Sequence, residues 1–285
     1  MRLLTIDDLY APDNDWKPLL DHVAWLQTLF EAYKAKIRTR RTVKVFIGGD
    51  EDRAPGLHAS ELCGCLRQAT YSLLGEHKKS SDEGTNTNML MRFDMGHGVH
   101  ALTQDDFQRM CMNAEGRLTF EDEARINEGT HDLAAKYKVA SSTDGIFTFY
   151  DERDNPYLRV GLEIKSMSKD EFEKANKPQE KHVLQGTLYQ KMLDLPLMWY
   201  YYYNKSNSNY TPPRAPWVVP FDKNMWNRLE SRAQQSHAAA AQGLLPDREE
   251  GMPCTWCPYA WKCEPSYLRL AARRNAPKVK PRRLT

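Results

Sequence analysis

The sequence has no long apolar run. Its longest strongly apolar stretch is Leu195 to Tyr203, far short of the ~20 residues a helix needs to cross a bilayer. It has no excess of either charge: 40 Lys and Arg stand against 38 Asp and Glu, a net +2. That excludes a uniformly basic nucleic-acid wrapper and an acidic disordered tail, so any nucleic-acid contact must come from local patches. No period of about 20 to 50 residues recurs, which removes solenoids and propellers. The opening MRLLTIDDLY carries Asp7 and Asp8 where a signal peptide needs an apolar core. The expectation is a cytoplasmic chain whose six cysteines are thiols or metal ligands rather than disulfides.

What is present is ordinary globular material. The 285 residues are 41% hydrophobic and 27% charged, enough for one large domain or two small ones with a sizeable core. Apolar spacing predicts an amphipathic helix over 16–37, with Leu19, Leu20, Val23, Leu26, Leu29, Phe30 and Tyr33 on one face. It ends in a positive run from Lys34 to Lys44. A second helix is expected from Ser60, a candidate N-cap, to Leu74, then a polar loop over 78–88. A helix over 89–110 precedes three strands at 117–127, 136–150 and 157–167. The last two are joined by the turn 151–156. A helix over 181–193 stops near Pro196, and 197–203 (LMWYYYY) reads as a buried strand whose aromatics pack a core. A final helix starts at Asp222 and ends at Gly243, a C-cap residue. Helices, a small mixed sheet crossed by a helix, and more helices make an α/β fold.

Chemistry enters with Glu163 and Lys165. On a strand they share a face, while Leu162 and Ile164 share the other. A carboxylate beside an ammonium is an ion pair or a metal ligand with an activating cation. Alone the motif is weak, since Glu76 and Lys78 have the same spacing in a loop-prone region. Asp144, followed by Gly145, sits between the apolar segments 137–140 and 146–150, as a carboxylate at a strand break. Such a group suits a hard cation, and an Asp-Gly turn is the plain alternative. His100 ends Gly96-His97-Gly98-Val99-His100 on the preceding helix. Gln185 and Tyr189 stand at i and i+4 on the following one.

The order Gly-x-x-x-His, Asp-Gly, Glu-x-Lys, Gln-x-x-x-Tyr and an apolar strand resembles the PD-(D/E)XK nuclease superfamily, in its RecB-like branch, over residues 58–268. The resemblance implies a restriction-endonuclease-like core: a small mixed sheet flanked by helices, with helical additions at both ends. It implies that Asp144, Glu163, His100 and the main-chain carbonyl of Ile164 hold one or two Mg or Mn ions. Lys165 then assists the attacking water, and Gln185 and Tyr189 support the site and the substrate backbone. Metal supplies charge neutralisation and a nucleophile at neutral pH, and a nearby lysine stabilises developing charge.

Cys254, Cys257 and Cys263 form C-x2-C-x5-C, a spacing that reads as a metal site needing a fourth ligand. From ligand type alone, structural zinc and an iron–sulfur cluster stand equal. The layout looks like the iron–sulfur RecB-like nucleases, including CRISPR-associated exonucleases and their phage-borne relatives. There one cysteine before the core joins three after it, around a 4Fe–4S cluster. Cys63 and Cys65 are the candidates. They lie two apart in a predicted helix, about 200° around its axis, so both cannot face one cluster. Cys65, followed by Arg67 and Tyr71, fits the family pattern better than Cys63, and Gly243-Leu244-Leu245-Pro246 fits it as well. Cys111 is expected to be a buried thiol.

No acidic residue follows Glu264. Arg269, Arg273, Arg274, Lys278, Lys280, Arg282 and Arg283 make a basic tail, a solvated end or a phosphate-tracking arm. The expected division is a helical extension (1–57), the first cysteine helix and loop (58–88), the nuclease core (89–215), the last helix and cysteine segment (216–268) and the tail (269–285). The reading is a metal-dependent DNA exonuclease acting on single-stranded or frayed ends. Its setting is recombination, repair or phage DNA metabolism in a bacterial or phage-infected cell, with recombination or replication proteins as possible partners. The alternatives are a catalytically silent DNA-binding or adaptor module that keeps the cluster, and an RNA-directed nuclease.

Overall fold

The computed structural model describes residues 2–10, 17–36, 42–45, 56–76, 87–114, 116–129, 131–204, 217–249, 252, 254 and 257–263. The chain is a mixed α/β protein. Its elements run α1 (Ile6–Leu9), α2 (Lys17–Lys36), α3 (Ala59–Leu62), α4 (Leu66–Leu73), α5 (Thr87–Met112), β1 (Leu118–Ile126), α6 (Asp132–Tyr137) and β2 (Ser141–Tyr150). They continue as β3 (Pro156–Met167), α7 (Lys169–Lys174), α8 (Glu180–Leu193), β4 (Leu197–Asn204), β5 (Trp217–Pro220) and α9 (Lys223–Ala241). Five strands form one sheet in the order β1-β2-β3-β4-β5. Only β3 and β4 run parallel, joined through α8. Among the described residues, no helix is long and apolar enough to cross a membrane.

The sheet is covered on both faces, which is why LMWYYYY shows no alternation. Val160, Leu162, Ile164, Trp199 and Tyr201 meet Val23, Leu26 and Phe30 of α2 and Phe107 and Met110 of α5. Cys111 is buried in this layer, as expected. On the other face Met198, Tyr200 and Tyr202 pack under Leu184, Leu188 and Tyr189 of α8 and Trp226 and Leu229 of α9. This second layer needs Gly186: a Cβ there would sit 2.0 Å from the Tyr200 hydroxyl oxygen. Lys34, from the positive run, bonds the buried Asp106 at 2.6 Å, so that residue serves packing. Arg38, Arg40 and Arg41 lie outside the described residues.

The structure corrects four expectations. The strand expected over 136–150 begins only at Ser141; Leu133, Ala134 and Tyr137 lie on the short helix α6, which Lys138 ends at φ +50°. Helix α7, capped by the Ser168–Glu171 box, was not anticipated, although S-x-x-E is a readable start signal. Strand β5 was missed as well; its four residues are too few to show a period. Finally, the single helix expected from Ser60 to Leu74 is two. His58, not Ser60, caps α3, and the chain bends at Cys63-Gly64-Cys65 before α4 begins. The bend persists because partners outside the helix satisfy its backbone. Arg232 of α9 donates to the carbonyls of Leu62 and Gly64 and pairs with Glu249, and the Leu66 amide donates to Glu249 at 2.8 Å.

Candidate active site

The site forms where β2 and β3 part. Their ladder is regular from Phe149 opposite Leu158 to Gly145 opposite Leu162, and one further step would set Asp144 opposite Glu163. Instead the Asp144 carboxylate takes over. Its Oδ2 accepts from the Ile164 amide at 2.6 Å, and its Oδ1 lies 3.0 Å from His100 Nδ1 on α5. Thr143 closes the gap by donating to the Leu162 carbonyl at 2.7 Å. Asp144 is therefore neither in a turn nor at a strand break: β2 is continuous through it. Gly145 is required for packing, since a Cβ there would meet the Phe120 ring at 2.3 Å.

Glu163 and Lys165 share a face of β3, as the alternation predicts, and pair with each other. Glu163 is only 2% exposed. Burial pushes its carboxyl up to about 7; Lys165 opposes this and Asp144 adds to it. Burial would discharge Lys165, but Glu163 and Asp144 outweigh it and hold its pKa above the ordinary lysine value. Burial likewise pushes His100 down, and the Asp144 carboxylate beside it more than restores it. From α8, Gln185 donates to the Tyr189 hydroxyl at 2.7 Å, the i, i+4 contact the sequence suggests. Tyr189 is buried, and Ser141 bonds to it as well. The Ile164 contact seen here is through its amide. His100, Asp144, Glu163 and Lys165 thus meet, and Gln185 lines the same cavity as Lys165. The rival motif separates from them: Glu76 pairs with Lys262, and Lys78 lies outside the described residues.

Among the described residues, no three His, Cys, Asp or Glu side chains are closed into a metal-holding group. Each carboxylate already has its own positive or donating partner. The donor set still suits a hard divalent ion: the Asp144 and Glu163 carboxylates lie together with the His100 imidazole, and burial pushes the Glu163 carboxyl up despite Lys165, so a further cation would favour its charged form.

The cavity beside Lys165 is about 550 Å³, and Cys63, Cys65, Cys254, Cys257 and Cys263 all line it. None is in a disulfide. Burial pushes the Cys257 thiol up to about 11, against a bond from the Tyr259 backbone, and Cys263, Cys65 and Cys254 add to the rise. Cys63 looks elsewhere: burial pushes it up to about 12, and its charged neighbours are Arg232, Glu163 and Lys165. Because the helix breaks between them, the 200° separation does not distinguish the two cysteines. Their neighbours differ. Arg67 donates to the Pro246 carbonyl at 2.7 Å, and Tyr71 stacks on Tyr259 with ring centroids 5.1 Å apart. Both residues after Cys65 therefore hold the late cysteine segment against α4.

Sequence reasoning missed His182, which also lines the cavity. Its Nδ1 is 2.6 Å from the Tyr202 hydroxyl. Burial pushes its pKa down to about 3, with Lys165 and Lys181 acting in the same direction and Glu171 opposing. An unfolded histidine titrates near 6.5, so the unfolded chain gains a proton first as pH falls. Stability is therefore expected to fall between pH 6.5 and 3, by about 3 kcal/mol from this group at pH 4. Urea melts of the parent and His182→Gln at pH 7 and pH 4 check it. The variant should lose less on acidification, and equal losses would show that His182 is not held neutral.

No protein-family model matches the chain, and no curated protein matches its sequence. Several solved structures are similar to it. SSO0001 is 12% identical over 85% of this chain and 94% of its own, with a TM-score of 0.41. LHK-Exo in complex with dAMP is 13% identical over 66% of this chain and 89% of its own, also at 0.41.

Proposed function

We propose that the chain is a metal-dependent deoxyribonuclease of the RecB-like PD-(D/E)XK kind that trims DNA from free, single-stranded or frayed ends. One observation carries the reading: His100, Asp144, Glu163 and Lys165, scattered over 66 positions, meet at the single point where β2 and β3 separate. Asp144, Glu163, His100 and the Ile164 carbonyl would hold Mg or Mn. Such an ion neutralises the phosphate and supplies a nucleophile at neutral pH. Lys165, kept charged by the carboxylates around it, stabilises the negative charge that grows during phosphodiester cleavage. Gln185, oriented by Tyr189, holds the substrate backbone beside Lys165. The buried walls fix these groups before substrate arrives, so little reorganisation accompanies the reaction.

The same reading assigns Cys65, Cys254, Cys257 and Cys263 to a 4Fe–4S cluster, supported by their lying, with Cys63, among the five thiols that line one cavity. Its role is a clasp between the early and late parts of the chain. Purified protein with end-labelled single- and double-stranded DNA, and with RNA, tests the activity. Cleavage from DNA ends in Mg or Mn, abolished by EDTA, is expected; no cleavage of DNA in either metal overturns the reading. The basic tail, outside the described residues, is expected to add phosphate contacts. Removing residues 269–285 should flatten the salt dependence of DNA binding without lowering the rate at saturating DNA. An unchanged salt slope would leave the tail a solvated end.

A further inference from the structure

We propose that Gln104 and Glu123 form a buckle that holds Asp144 in place, and that both are positioning residues of the site. Four described residues other than glycine have positive φ: Glu123, Lys138, Asp154 and Asp194. Lys138 and Asp194 end helices, and Asp154 lies in the turn between β2 and β3. Glu123 alone lies inside a strand, at φ +50°. A residue with a Cβ adopts that conformation at a cost, and it persists only where its surroundings enforce it.

The strain sits opposite the site. Asp122 faces Gly145 and Ala124 faces Thr143, so the β1–β2 register is unbroken, yet the pair between them, Glu123 with Asp144, is missing from the ladder. Gln104 fills the gap. It is buried, one turn after His100 on α5, and its Nε2 donates to the Asp144 carbonyl at 2.8 Å and to Glu123 Oε1 at 3.2 Å. The other oxygen of Glu123 accepts from Ser142 at 2.9 Å. Helix α5 therefore grips Asp144 twice: His100 takes its carboxylate and Gln104 its main chain. With the main chain fixed, Oδ2 is delivered to the Ile164 amide. A regular main-chain pair at this point would compete with Gln104 for the Asp144 carbonyl.

The importance of the buckle rests on reading Asp144 as the metal-holding carboxylate, but its existence can be measured separately. Gln104→Ala removes the donor. Glu123→Gly accepts φ +50° without strain yet removes the carboxylate. Glu123→Gln keeps an acceptor for Gln104 and should rescue. In Gln104→Ala and Glu123→Gly, exchange of the Ile164 amide is expected to quicken about tenfold as its acceptor loosens. Affinity for Mn²⁺, read by calorimetry, should fall about tenfold, the scale of losing a group that orients a ligand. Melting temperature should hold or rise in Glu123→Gly, which a purely structural role would not produce. Ile164 exchange within twofold of the parent in both variants overturns the buckle. So does a Glu123→Gln variant as defective as Glu123→Gly. If the parent binds no Mn²⁺ and cleaves no DNA, the reading of the site fails, while Ile164 exchange still decides whether Gln104 and Glu123 hold Asp144.

Discussion

Lys165→Ala is expected to lower DNA cleavage by about 10³-fold while leaving the protein folded, a loss comparable to removing a group that stabilises developing charge. Removing one partner of a buried ion pair ordinarily costs about 3–5 kcal/mol. Here the partner left behind is Glu163, whose carboxyl burial already pushes up to about 7. It can take a proton near neutrality at little expense, so the fold should survive. Asp144→Ala and Glu163→Ala should be as inactive. Double variants should be little worse than singles, because groups that act as a unit are lost together. Turnover in Mg with circular dichroism melts checks both halves, with Lys78→Ala of the rival motif as the control that keeps activity. Full cleavage by Lys165→Ala would remove Lys165 from the mechanism.

Cys65→Ser is expected to yield colourless protein, where the anaerobically purified parent should be brown with bound iron and sulfide. Its melting temperature should drop by on the order of 10 °C, since binding to a site absent from the unfolded chain is itself folding free energy. Cys63→Ser should keep both colour and stability. The difference follows from what each thiol faces: Cys254 and Cys257 feel Cys65, whereas Cys63 sits among Arg232, Glu163 and Lys165. Metal analysis separates the ligand question from the metal question. Tightly bound zinc in colourless parent protein would replace the cluster but keep the clasp. Colour lost in Cys63→Ser and kept in Cys65→Ser would reverse the assignment of the fourth ligand.

The sheet and its motifs were legible because side-chain alternation is local. Glu163 and Lys165 had to share a face once β3 was read as a strand, and Gln185 had to meet Tyr189 once α8 was read as a helix. Asp144 was placed in the correct neighbourhood for an incomplete reason. Gly145 suggested a turn, but the glycine makes room for Phe120 from the adjacent strand, and no local pattern reports a neighbour's ring. The break between Cys63 and Cys65 was hidden in the same way. It depends on Arg232 and Glu249, which reach it from more than 160 residues away. Gln104 and Glu123 carried no distinctive signal at all. A glutamine in a helix and a glutamate in an edge strand are ordinary until the strand is seen to turn left-handed between them and Asp144.

That distant hold on the bend sets an order of events during synthesis. Chains emerge from the ribosome N-terminus first, and their domains fold as units. Leu62, Gly64 and Leu66 emerge early, but their backbone partners Arg232 and Glu249 come 168 to 183 residues later, and Cys254, Cys257 and Cys263 follow directly. Until then Cys65 has no companions and no fixed direction. The sheet, α8 and α9 are therefore made before the thiols can be gathered. If these thiols hold the proposed cluster, its loading would be the closing step of maturation, and a polypeptide interrupted before residue 232 would have neither the clamp nor the ligands to retain it.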